Sequence, residues 1–437
     1  MKRRDFWVRS RYNRRRLFAP TRCKKDISEA LRKLHPKLLG ISTRGTHRAT
    51  NQQVVLNLLR AYQPISRAEL ARRLRMQRGA VGRIVNGLIV DGLVREGGPG
   101  DADRGRKPTL LHLDSRGRWS VAVDVRVTRT FLVITDLVGN ELTPVRSFVT
   151  DADPKSFASH LAGEVRRLVA DHTEAGQCHG VGVAFPGMLD RAGNIVLRAP
   201  ALGWRNVPFK RLLSAALGLP VEVENAARAC VFAQMWSLQG EAPPGDLAFV
   251  SVSDGLGVGL LVAGEVLRGR HNIAGEFGHL PLDLGGPPCA CGAVGCWEAY
   301  VSNLATVSRY LGAPLRPGHP VASEVARLSI GDFMARVGEG DAKALSALAS
   351  TAHYLGLGLA SIVNSFDPDR IYIGGEIMAA WELMKAHVRR GLAERALLES
   401  AADVEIVPVA AREHPRLRGA SALVGAQIFV AGGAATA

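Results

Sequence analysis

The sequence predicts an α/β protein in two parts: a three-helix unit with a two-stranded wing, followed by a duplicated, two-lobed α/β body. Three observations predict it. Residues 1–48 carry 16 Lys/Arg against 3 Asp/Glu, residues 49–118 carry 13 against 6, and the remaining 319 carry 27 against 31. At Trp119 the hydrophobic period changes from helical spacing to that of strands. A strand, Gly-rich turn, strand theme then occurs twice, first after Trp119 and again in DLAFVSVSDGLGVGLLVAGEVL. With 47% hydrophobic and 22% charged residues in 437, the chain can bury sizeable cores, which excludes wholesale disorder. No run of 18 apolar residues escapes interruption by charge, Gly or Pro, so no membrane helix is expected. The start, MKRRDFWVRSRYNRRR, has no apolar segment behind its charges, so a cytoplasmic protein is expected. Six cysteines do not make a disulfide framework.

Residues 1–48 read as a basic tail and 49–118 as the helical unit. NQQVVLNLLRAY places Val54, Val55, Leu58 and Leu59 on one helical face, and Pro64 then breaks the chain. Ser66-Arg67-Ala68-Glu69 is a capping box for a short helix ending near Arg75. A third helix, roughly QRGAVGRIVNGLIVDG, turns Val81, Ile84, Val85 and Leu88 inward and exposes Gln77, Arg78 and Arg83. Two helices joined by a tight turn have helix-turn-helix geometry. GLVREGG and PTLLHLD are strands around PGDADRGRKP, whose Arg104, Arg106 and Lys107 form a basic finger suited to a narrow minor groove. Arg78 and Arg83 are placed to read guanine edges, Arg72 and Arg73 to touch phosphate. Together with the charge asymmetry, this predicts a double-stranded DNA partner.

From 119 to 437 the body reads as two lobes with a cleft between them. Its strongest local signal is GEFGHLPLDLGGPPCACGAVGCWEAY. His279, Cys289, Cys291 and Cys296 offer one imidazole and three thiols, a set that suits tetrahedral Zn²⁺ in a closed and therefore structural site.

The run GEFGH-x9-CxCGxxGCxE, present from Gly275 to Glu298, resembles the ROK family, in particular its transcriptional regulators with an N-terminal winged helix. The resemblance covers roughly residues 50–437 and leaves the basic tail outside. It implies an actin-like, sugar-kinase-like (ribonuclease H-like) body, zinc on His279, Cys289, Cys291 and Cys296, and a sugar held by Asn225, Glu276, His279 and Glu298.

The departures from the family's kinases set the expected function. Where those kinases carry a catalytic Asp after the Asn, this chain has Ala226 in VENAARA, so no general base stands there. The first phosphate loop reads Asp124-Val125-Arg126-Val127-Thr128-Arg129, without glycines, and Asp254 in the second would repel a phosphate. The expectation is a catalytically inactive, sugar- or sugar-phosphate-responsive DNA-binding regulator, most simply a repressor, working as a homodimer or homotetramer. The alternatives are an active ROK sugar kinase with an appended DNA-binding domain, and a regulator that has lost its small-molecule site.

Overall fold

The computed structural model describes residues 48–100, 107–115, 117–172, 176–237, 245–313 and 328–431. Nearly all of the basic tail, and Arg104 and Arg106 of the wing, lie outside the described residues.

The first unit is built from α1 (Arg48–Tyr62), β1 (Ile65–Ser66), α2 (Arg67–Leu74), α3 (Arg78–Val90), β2 (Val94–Pro99) and β3 (Thr109–Leu113), with strand order β1-β3-β2. Ser66 caps α2 by accepting from the Glu69 N–H at 3.2 Å. The capping box is only half formed, because the Glu69 carboxylate turns along the helix to Arg72 and Arg73 instead. Arg75, in the left-handed region at φ 51°, ends α2 and turns the chain into α3. Val81, Val85 and Leu88 of α3 are buried against α1, while Ile84 is half-buried. An added Cβ at Gly79 or Gly82 would meet no atom within 4 Å, so internal packing does not require these glycines.

α1 departs from an amphipathic pattern, since every residue from Val54 to Ala61 is buried. One side packs on α2, α3 and β3, and the other lies on the body. A surface helix buries one stripe; burial all round means a second partner covers the rest.

The first lobe carries β4 (Arg118–Val125), β5 (Arg129–Asp136), β6 (Arg146–Val149), α4 (Pro154–Ala170) and β7 (Gln177–Phe185). A small antiparallel meander follows, β8 (Met188–Leu189), β9 (Val196–Ala199) and β10 (Trp204–Val207), then α5 (Phe209–Leu217), β11 (Val221–Asn225) and α6 (Ala226–Ser237). The main sheet has the order β11-β7-β4-β5-β6. The second lobe carries β12 (Leu247–Val252), β13 (Leu256–Val262), β14 (Glu265–Val266), α7 (Glu298–Val301), α8 (Asn303–Leu311), α9 (Ile330–Gly338) and α10 (Ala342–Phe366). It continues through β15 (Arg370–Gly374), α11 (Trp381–Arg395), α12 (Glu399–Ala402), β16 (Glu405–Val409) and α13 (Pro415–Ala431), and its sheet order is β14-β13-β12-β15-β16.

The two five-stranded sheets have one topology. In each, the first strand pairs antiparallel with the second and parallel with the fourth, so β4 corresponds to β12 and β7 to β15. α13 follows the last strand of the second lobe yet packs on β4, β7 and α6 of the first. By length and composition α10 could cross a membrane, but most of it is buried in the second lobe. Its Gly356 faces the Val388 carbonyl of α11, while Gly391 of α11 faces the His353 carbonyl of α10, so the two backbones touch.

Candidate functional site

The cleft between the lobes holds about 860 Å³ of empty space, part of it open to solvent. Asn225, Glu276, His279 and Glu298 all line it. Asn225 ends β11, and its amide both caps α6, accepting from the Ala227 and Arg228 N–H groups at 3.0 and 3.2 Å, and donates to the Gly187 carbonyl at 3.0 Å. Ala226 is buried beside it, a methyl group where the resemblance expects a carboxylate.

Glu276 and His279 sit on one short 3₁₀ turn, with Glu276 Oε2 3.9 Å from His279 Nε2. Burial pushes the Glu276 carboxyl above the usual range; His279 and Arg228 act against this and Glu298 adds to it. The other ring nitrogen, His279 Nδ1, lies 3.7 Å from Cys289 Sγ, and Cys291 Sγ lies 3.7 Å from Cys296 Sγ. All four donor atoms fall within 4.8 Å of one another. Tetrahedral zinc with thiolates at about 2.3 Å has ligand–ligand edges of about 3.8 Å, so this donor set fits the ion. Glu298 ties the loop to the second lobe: Oε2 accepts from the Leu256 N–H at 2.9 Å, and Oε1 lies 3.5 Å from Cys289 Sγ. An added Cβ at Gly255 would come within 2.7 Å of Glu298 Oε2, so a side chain there would push the carboxylate aside.

The far end of the cleft is bridged by the chain itself. Asp254 Oδ2 accepts from the Thr128 N–H at 2.9 Å and from its hydroxyl at 2.7 Å. Arg126 pairs with Asp124 at 2.8 Å and reaches across to Glu376, which also accepts from Asn303 at 2.9 Å. Burial alone would raise the Glu376 carboxyl, but Arg126 holds it below the usual range. Arg416, first turn of α13, pairs with Asp124 at 2.8 Å.

A second cross-lobe cluster lies behind Glu276. Glu224 receives Arg228 at 2.9 Å and Arg268 at 2.6 Å, both buried. Burial opposes ionisation of Glu224, yet the two guanidinium groups hold its carboxyl at about 2. Asn272, at φ 60°, donates to the Leu189 and Asp190 carbonyls, while its own carbonyl accepts from Arg228. The sequence reading misses this cluster, as it misses the Arg126–Glu376 pair, because only the fold brings the partners together.

In the first unit, Gln77, Arg78 and Arg83 are exposed on α3, with Gln77 at the N-cap and its side chain making no capping bond. Arg72 and Arg73 are exposed on α2 but pair with Glu69, and Arg73 also lies 4.0 Å over the Tyr62 ring. Lys107 is exposed at the end of the wing.

A winged helix-turn-helix joined to a two-lobed body with a Cys/His loop beside its cleft defines a DNA-binding protein built on a sugar-kinase-like frame. Residues 120–427 match the ROK family and residues 50–104 the MarR family. The chain belongs to the ROK family. It is 27% identical over 376 residues to the xylose repressor of Bacillus subtilis (strain 168), covering 86% of this chain and 94% of that one. It is 26% identical over 355 residues to the xylose repressor of Caldicellulosiruptor bescii, covering 80% and 88%. A solved ROK family transcriptional regulator, a homolog of the E. coli MLC protein, superposes with a TM-score of 0.67 at 26% identity, covering 88% of this chain and 97% of that one.

Proposed function

We propose that this chain is a sugar-responsive repressor that binds operator DNA through α3 and the wing, and that its cleft binds sugar without transferring phosphate. The observation that carries the reading is the pairing of an exposed helix face, Gln77, Arg78 and Arg83, with a cleft across which Asp254 takes the Thr128 N–H, at the end where the resemblance puts phosphate. A phosphate cradle needs free backbone N–H groups. Here the Thr128 N–H already serves a carboxylate, and a second anion at that point meets like charge. The names of the xylose repressors that this chain resembles support a sugar as effector, with xylose the first candidate.

The sugar hydroxyls would meet Asn225 from the first lobe and Glu276, His279 and Glu298 from the second. Zinc on His279, Cys289, Cys291 and Cys296 would fix the loop, and with it the positions of Glu276 and Glu298. Arg78 and Arg83 would read base edges, with Arg72, Arg73, Lys107 and the wing arginines on the backbone. Two copies, acting in the cytoplasm, would read a palindromic operator with its two-fold symmetry.

The test is calorimetry with D-xylose and D-glucose, paired with anisotropy on a duplex selected from random DNA by the protein itself. Sugar binding together with a sugar-dependent loss of DNA affinity is the expected result. No binding of either sugar, with DNA affinity unaffected by both, would favour the rival reading, a regulator that has lost its small-molecule site.

A further inference from the structure

α6 and α13 both begin at the cleft and both end beneath the DNA-binding unit. Ala226 and Ala227 open α6 and line the cleft, as does Arg416 in the first turn of α13. Trp236 near the end of α6, and Leu423 and Ala426 of α13, share one core cluster with Val54, Val55 and Leu59 of α1. The two helices lie in direct backbone contact, because Gly419 leaves no room for a Cβ against the Ala229 carbonyl. Gly425 is likewise pressed against the Trp236 ring.

The seat itself is one side chain. Arg60 of α1 donates from Nη1 to the Trp236 carbonyl at 2.7 Å, and its guanidinium carbon lies 4.4 Å from the centroid of the Trp236 ring. The ring is fixed in turn, since its Nε1 donates to the Val138 carbonyl at 3.1 Å. Burial lowers the Arg60 pKa to about 10, and its Nε has no hydrogen-bond partner among the described residues. A buried cation held by one carbonyl and one ring face is sensitive to where those two groups stand.

We propose that Arg60 is the positioning residue that seats the winged helix on the body and passes the state of the cleft to it through α6 and α13. The proposal rests on the cleft being the effector site. A ligand that draws the lobes together displaces the N-terminal ends of both helices. Their close packing carries the displacement to Trp236, and the Arg60 seat converts it into a changed orientation of α3. The ligand acts only by its different affinity for the two arrangements.

The test uses the full chain, the self-selected duplex and D-xylose or D-glucose as probe. Arg60→Met replaces a buried cation that has no carboxylate partner among the described residues with an apolar side chain of similar length, which removes the cost of burying its charge. In the wild type, sugar is expected to shift operator affinity by about 5–150-fold. In Arg60→Met, sugar binding by calorimetry stays near wild type, while the sugar-induced shift, measured against the variant's own sugar-free operator affinity, falls below about 2-fold. A variant that responds like wild type overturns the proposal and leaves the effector site standing. A wild type that binds no sugar overturns both. Trp236→Phe and hydrogen exchange of α1 in the wild type cover the case in which Arg60→Met does not fold. A sugar that leaves α1 protection unchanged, with a Trp236→Phe response equal to wild type, overturns the proposal.

Discussion

The carboxylate of Asp254 in the second lobe is held by the backbone N–H and the hydroxyl of Thr128 in the first, at 2.9 and 2.7 Å. On the reading proposed above, this link closes the phosphate end of the cleft. A carboxylate restored at position 226 is then not enough for phosphate transfer. Ala226→Asp is expected to release no ADP above background in a coupled assay with sugar and Mg-ATP, as is the wild type. Sugar-dependent ADP release by either protein would show that the bridge admits nucleotide.

Metal content provides a second test. The four donors of the 275–298 loop should hold about one zinc per chain in protein purified without added metal. Cys291→Ser should fall well below one equivalent and lose sugar binding, because the loop carrying Glu276 and Glu298 is no longer fixed. Full sugar affinity in metal-free protein would separate the loop from the effector site.

On the DNA side, Arg78→Ala and Arg83→Ala should each weaken operator binding by about 1–3 kcal/mol, or about 5–150-fold, without altering sugar affinity. Both side chains are exposed and make no hydrogen bond or ion pair among the described residues, so neither change should lower the melting temperature. Arg73→Ala should cost less on DNA, because that side chain already serves Glu69 and Tyr62. Equal losses for all three in anisotropy titrations would mean that α2 lies closer to the duplex than α3.

Stability should fall in acid through Glu224. Its carboxyl titrates at about 2 in the folded chain against an ordinary value of 4.5. The contribution is complete above 4.5 and is lost as pH falls through that value towards about 2. Glu224→Gln removes the buried carboxylate that Arg228 and Arg268 share, and breaking such a buried pair typically costs about 3–5 kcal/mol. Thermal melts between pH 7 and pH 3 should show a steeper loss for the wild type than for the variant. Parallel curves would remove Glu224 from the acid response.

Local signals are the ones the sequence makes legible. The exposed face of α3 and the Ser66 cap follow from spacing within a few residues, and the Cys/His loop is contiguous from Gly275 to Glu298. The contacts that join the parts are long-range: Arg60 and Trp236 are 176 residues apart, and Arg126 and Glu376 are 250 apart. No periodicity records such a pair. The sequence also overstates Glu69, whose carboxylate has two arginines within one helical turn and takes them in preference to the Ser66 N–H. Asn225 is found by its motif, but that its amide already caps α6 is visible only in three dimensions.

The order in which the chain is made gives α13 a further meaning. The DNA-binding unit and the first lobe leave the ribosome early, and N-terminal domains generally fold first. Yet the first lobe lacks a layer until residues 415–431 arrive, since Gly182 of β7 is pressed against the Ala420 carbonyl and Thr135 of β5 is hydrogen-bonded to Ser421 at 2.7 Å. The body-facing side of α1 also waits for that helix. A nascent chain stalled before α13 would carry a finished recognition helix on an unfinished seat. The last helix of the chain thus completes the packing of its first two units.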